Sequence, residues 1–156
     1  MNLMSRIIQN IDTFSYIEEK VIINQPIEKV WKEFQIVENY SLWNSLFSLE
    51  NFPSHVGEKI LLKLYAENKE IKFSAKVLKI EPYSLEWEGK LYVNGLFNGR
   101  HLFTFEALDD DRTLLVQSET FIGILVPILR KSIIQSTQKN FQKVNYAFKN
   151  YIEELV

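Results

Sequence analysis

One change of rhythm constrains this chain more than any other feature. From residue 58 to residue 122 the apolar side chains recur every second position. From Pro127 to Glu154 they recur every third or fourth, with no glycine and no further proline. The first pattern is that of strands with one buried face, and the second is that of a long amphipathic helix. Ile60, Leu62 and Leu64 share one face of a strand over 58–65. Ile71, Phe73, Ala75 and Val77 share another, with Lys72, Ser74 and Lys76 opposite. Leu85, Trp87 and Gly89 alternate with Glu86, Glu88 and Lys90. His101, Phe103 and Phe105 alternate with Arg100, Leu102, Thr104 and Glu106, and the run 112–122 follows as their partner. The charges fall mostly on one face, as in an antiparallel sheet with one wet side.

The helix over 127–154 is predicted to be about 40 Å long at 1.5 Å per residue. Its stripe runs through Ile133, Thr137, Phe141, Val144, Phe148 and Ile152, with Lys131, Lys139, Lys143 and Lys149 elsewhere on its surface. Upstream, 15–24 has the look of a strand with Ile17, Val21 and Ile23 inward. Pro26 suits a first helical turn, and Ile27, Val30, Trp31 and Phe34 form a helical stripe that should bury Trp31 in the core. A second short helix is expected near 37–43 and a short strand near 46–51. The fold class is α+β. A curved antiparallel sheet of 6–7 strands should wrap around the long helix, with two short helices after the first strand. Sheet and helix cannot fill all the space between them, so the arrangement implies an internal cavity. No linker or repeat divides the chain, and residues 1–156 form one expected domain, with 1–14 as an N-terminal extension.

Composition narrows the chemistry. The formal charge is −2, which argues against a nucleic-acid partner, since such binders carry a basic face. The chain has no cysteine and only two histidines, so thiolate metal sites and Cys nucleophiles are excluded, and neither a metal nor another cofactor is expected. His55 belongs to a polar loop. The longest apolar run, 121–129, is too short to span a bilayer, so stable membrane insertion is not expected. No basic start leads into an apolar core at the N-terminus, and a cytoplasmic location is the expectation. No Gly-x-Ser-x-Gly, phosphate-binding glycine loop or His-Glu-x-x-His is present.

Several local patterns, in order, resemble a known family. Pro26 with Val30-Trp31, Tyr40 with Trp43-Asn44, Gly57, Glu81-Pro82 with Leu85-Glu86-Trp87, Gly99-x-His101-x-Phe103, Glu119-x-Phe121-x-Gly123, and Thr137, Phe141 and Asn145 on the last helix together resemble the START-like superfamily of the birch-pollen-allergen fold. The nearest branch is the bacterial polyketide cyclase/dehydrase-like one, SRPBCC. One departure is Ser45, where that family often has proline after Trp-Asn. The resemblance implies a helix-grip fold and a hydrophobic or aromatic ligand, and it implies no particular reaction.

One constellation could carry chemistry. With Asp109–Asp111 as a three-residue connection, Phe105 faces Leu115, Phe103 faces Gln117 and His101 faces Glu119. Directly opposed side chains share a face with Cβ atoms about 4.5–5.5 Å apart. A carboxylate beside a buried imidazole holds it cationic or in one tautomer. The pair can fix strand register, orient a polar group of a greasy ligand, or act as general acid and base. Trp43, Trp87, Phe103, Phe121 and Phe141 are candidate cavity walls or ordinary core. Thr137 and Asn145 face inward as hydrogen-bonding groups. The segment 92–97 is a candidate lid or a loop packed on the sheet edge. The readings of function are a carrier or sensor of a small hydrophobic molecule, a polyketide cyclase/aromatase-like enzyme using His101 and Glu119, and a co-chaperone-like interaction domain. The sequence leaves the oligomeric state open.

Overall fold

Residues 13–66, 68–91 and 95–155 are described by the structure, a computed structural model. The described residues begin with strand β1 (Phe14–Ile23), helix α1 (Ile27–Phe34), a 3-10 turn (Val37–Asn39) and the one-turn helix α2 (Tyr40–Trp43). Strands β2 (Phe47–Leu49), β3 (Lys59–Ala66), β4 (Lys69–Glu81), β5 (Ser84–Leu91), β6 (Phe97–Asp109) and β7 (Arg112–Ile122) follow, and helix α3 (Val126–Glu154) ends the chain. The strands make one antiparallel sheet in the order β1-β7-β6-β5-β4-β3-β2, which curls around α3. Phe14 lies in β1 rather than in an extension, and the Thr13 carbonyl accepts the Gly123 N–H at 3.0 Å. The rest of the expected extension, residues 1–12, lies outside the described residues, as do Tyr92, Val93 and Asn94 of the candidate lid. Phe97, at the end of that segment, is buried in β6.

The alternation is broken by two bulges that the sequence pattern conceals. In β4 the pairs Val77–Trp87 and Lys79–Glu86 leave Leu78 unopposed, so the inward parity switches from Val77 to Ile80. In β6 the pairs Ala107–Thr113 and Asp109–Arg112 leave Leu108 unopposed. The connection is therefore a two-residue turn, Asp110-Asp111, plus a bulge. The Asp109 carboxylate closes this turn, accepting from the Asp111 N–H at 3.1 Å and from Arg112 Nε at 2.7 Å. Such bulges sharpen the twist that lets a sheet wrap a helix.

The space beneath α1 and α2 is solid. Phe34 is 1% exposed and meets the rings of Trp31, Tyr40, Trp43, Phe52, Phe103, Phe105 and Phe148. Trp31 itself is only half-buried, because its position in the stripe places it at the edge of the helix interface. Tyr40 donates to the Phe34 carbonyl at 2.8 Å, and burial pushes its phenol well above the usual value. Asn44 accepts the N–H groups of Leu46 and Phe47, both at 3.0 Å, and so turns the chain into β2.

Helix α3 is anchored unevenly. Its fully buried residues are Val126, then Phe141, Val144, Asn145, Phe148 and Ile152, and none lies between 127 and 140. Its C-terminal half closes on β1 through Lys149 Nζ, which donates to the Ile22 carbonyl at 2.8 Å and to Glu153 at 2.6 Å. At the start of α3, the Ile124 and Leu125 N–H groups donate to the carbonyls of Gly95 and Leu96 at 3.3 and 3.1 Å. No helix among the described residues is long and apolar enough to cross a membrane.

Candidate functional site

Facing glycines explain where the core stops. Gly89 of β5 pairs directly with Gly99 of β6, so two adjacent inward positions of the sheet carry no side chain. Above this bare floor α3 presents Ile133, Ser136, Thr137, Asn140 and Phe141, one helical face with short polar members. The result is a cavity of about 740 Å³, within the usual range for small-molecule sites. It separates two buried clusters. Phe47, Leu62 and Trp87 line it from one side, and Phe97, Phe121 and Phe141 from the other. The cavity is not sealed. Tyr65, Ile71 and Leu129 line it and are 40, 44 and 37% exposed, so they form a greasy rim.

Of the sequence-derived site residues, Trp87, His101, Glu119, Phe121, Thr137 and Phe141 line the cavity. Trp43 and Phe103 do not. Trp43 packs on Phe148 and Tyr40 with ring centroids 4.4 and 4.7 Å apart, and Phe103 packs on Phe34 at 4.9 Å. Both belong to the solid half of the core, because α1 and α2 plug that end of the sheet. Inward parity identifies a buried residue but not whether anything covers it. The sequence reading also passed over Phe73, Phe97, Gly89 and Ile133 as lining residues. The signal for the floor was present in the paired glycines, once the β5–β6 register is known.

The polar feature of the wall is built across β6 and β7. His101 faces Glu119 and Phe103 faces Gln117 in register. His101 Nδ1 lies 2.8 Å from Glu119 Oε2, and Gln117 Nε2 lies 2.9 Å from His101 Nε2. Gln117 is fully buried and reaches His101 along the diagonal of the ladder, which suits a long side chain. With its amide N–H turned toward Nε2 and the ring neutral, the ring proton sits on Nδ1, facing Glu119. Rings on either side fix the imidazole plane: Trp87 stacks at 4.9 Å and Phe103 at 4.6 Å, while Phe141 of α3 lies 5.0 Å away. Gln117 Oε1 is buried with no partner among the described residues. Turning the amide over would let Oε1 accept from a protonated Nε2, so the trio can hold the ring neutral or cationic without moving the backbone.

Glu119 depends on a glycine. A Cβ at Gly99 would stand 2.5 Å from Glu119 Oε1, so the carboxylate lies directly over the bare floor. Phe73 leans over Gly89 in the same way, 2.9 Å from where a Cβ would be. Asn145, one helical turn beyond Phe141, is buried, and both its side-chain polar atoms lack partners among the described residues. His55 is exposed in a loop with Ser54 and Glu58. No group of three or more His, Asp or Glu side chains among the described residues is placed to hold a metal ion.

No family model matches the chain, and no curated protein matches it in sequence. Solved structures do match in fold. The Zhui aromatase/cyclase from Streptomyces sp. R1128 matches with a TM-score of 0.70 at 15% identity, over 90% of this chain and 94% of that one. Ara h 8.0201 matches with a TM-score of 0.66 at 19% identity, over 90% and 98%. A START superfamily protein from Mycobacterium smegmatis matches with a TM-score of 0.67 at 16% identity, over 90% and 99%. The chain thus has the START-like helix-grip fold.

Proposed function

We propose that the protein binds a small, largely apolar molecule in the cavity between the sheet and α3, as a carrier or sensor. The observation that carries this reading is the cavity itself: about 740 Å³ of mainly apolar wall with one oriented polar pair, His101–Glu119. Burial of an apolar ligand there would contribute roughly 25 cal/mol per Å² of apolar surface removed from water. The neutral probe N-phenyl-1-naphthylamine should bind saturably at one site and quench Trp87, which is part of the wall. Thr137→Trp fills the cavity from α3 and should abolish binding while the protein stays folded. Undiminished binding in Thr137→Trp would place the probe elsewhere.

A second reading is an aromatase/cyclase-like reaction on a carbonyl-rich substrate, favoured by the carboxylate–imidazole contact in the wall. Geometry counts against it. Both ring nitrogens of His101 already have protein partners, so the imidazole must lose Gln117 before it can take a proton from a substrate. Ligand recovered unchanged after prolonged incubation supports the carrier. Turnover that is lost in His101→Ala and retained in a variant away from the cavity, exposed Leu42→Ala, supports the enzyme.

A further inference from the structure

The two oxygens of Glu119 have different surroundings. Oε2 is held by His101 Nδ1 at 2.8 Å, whereas Oε1 lies over Gly99 with no hydrogen-bond donor from the described residues. Glu119 is the only carboxylate lining the cavity among the described residues, and its side chain is 12% exposed. The other full charge in the lining, Lys90, is exposed at the rim and makes no ion pair with it. Gln117 Nε2 lies 2.9 Å from His101 Nε2, so the imidazole is engaged on both nitrogens and only Oε2 of the carboxylate is served by it, while Oε1 faces the apolar wall. A carboxylate oxygen that is largely withdrawn from water and meets no donor is unfavourable, and the cost is relieved by a guest that brings a charged N–H donor to it. Trp87, Phe121 and Phe141 line the same cavity, and aromatic rings attract cations.

We infer that the ligand is a cationic amine on an apolar or aromatic scaffold, with its ammonium group on Glu119 Oε1 and its scaffold between the glycine floor and α3. This rests on the cavity-binding reading above and adds the chemical class of the ligand. Because Oε1 accepts and Glu119 is the only carboxylate in the described lining, a carboxylate guest of the same shape meets like charge there and should be rejected. Gly99 is part of the device: the missing side chain is what keeps Oε1 open to the cavity.

Three probes of one shape test it: 2-naphthylmethylamine, 2-naphthylmethanol and 2-naphthoic acid, titrated calorimetrically at neutral pH into the full chain. The amine should bind at least tenfold more tightly than the alcohol, about 1.4 kcal/mol, and the acid more weakly than either. Glu119→Gln should bring the amine-to-alcohol ratio to near one. An amine no tighter than the alcohol, or a preference that survives Glu119→Gln, overturns the inference while leaving the cavity reading intact. If none of the three binds, the cavity reading fails and the inference falls with it. The ranking on the unmodified protein decides the matter even if Glu119→Gln does not fold.

Discussion

Gly99→Ala is the smallest change that should dismantle the polar wall without touching either partner. The new Cβ would stand 2.5 Å from Glu119 Oε1, against roughly 3.3–3.6 Å for an ordinary carbon–oxygen contact. The oxygen must therefore retreat by about 1 Å. The next neighbour, Phe121 Cε1 at 3.6 Å, needs no adjustment. Since the obstructing atom ends a flexible side chain, the backbone can stay in place and the carboxylate moves instead. A shift of about 1 Å stretches the 2.8 Å contact to His101 beyond hydrogen-bonding distance. Losing a hydrogen bond to a charged group costs about 1.5–3 kcal/mol. Restricting the unfolded chain by replacing glycine returns about 0.4–1 kcal/mol. The net loss should be about 1–2 kcal/mol, or a Tm lower by roughly 3–6 °C for a chain of this size. Calorimetry reads the stability, and nitrogen-detected NMR of the imidazole reads the loss of the Nδ1–H tautomer. An imidazole spectrum identical to that of the unchanged protein, with stability equal or higher, would refute the reasoning.

Other substitutions probe the scaffold. Gly123 has φ +146° and a Cβ there would run into the Leu96 carbonyl, which is backbone and cannot swing aside, so Gly123→Ala should cost about 3 kcal/mol or more in urea titrations; a loss under about 1 kcal/mol would mean the 95–97 segment yields. Phe34→Ala should cost about 4 kcal/mol, whereas half-buried Trp31→Ala should cost only about 2 kcal/mol, because it leaves a dent open to water; equal losses would contradict this division. The Arg112 guanidinium, and then the Asp111 N–H, hold the Asp109 carboxyl below its ordinary 3.8, so the turn's contribution is complete above that value and is lost as pH falls through the lower folded one. Asp109→Asn should therefore be less stable than the unchanged protein at pH 6, with the gap closing in strong acid, and a gap independent of pH would show that Asp109 contributes no charge effect.

Much of the fold was legible because each level of the sequence agreed with the next. The β6–β7 register followed from inward parity and the Asp-rich turn, and it put His101 opposite Glu119, as the pairing has it. The loop behind that register differs, however: the odd residue is the bulge at Leu108 rather than a third turn residue. A bulge leaves no local signature when the residue inserted is apolar, which is also why Leu78 went unseen. The site was harder to read. Parity marked Phe103 and Phe121 as equals, yet one is covered by α1 and the other faces the void. That distinction depends on where α1 and α2 end over the sheet, a long-range matter that no window of sequence contains. Gln117 stood in the register opposite Phe103, but its tie to His101 is diagonal and only the folded ladder makes it evident.

The uneven anchoring of α3 gives the helix two thermodynamic identities. Residues 141–152 share their burial with the aromatic cluster, so freeing them means dissolving that cluster. Residues 127–140 have no fully buried member and lie largely over the cavity, so lifting them exposes little surface that is not already half wet. Opening free energies should accordingly fall along one continuous helix, from near the global value at its C-terminal end to far less over 127–140. Amide hydrogen exchange should show a step near Phe141, with the earlier amides exchanging by local opening and the later ones only with global unfolding; uniform protection along α3 would contradict it. The later half is the clamp, whereas 127–140 spans the cavity between buried Val126 and Phe141, tied to β1 by Arg130 on the Phe14 carbonyl at 2.6 Å and by Gln138 on Glu19 at 2.8 Å. Lifting that span parts surface ties and about four turns of helix, while the aromatic cluster stays folded beneath it.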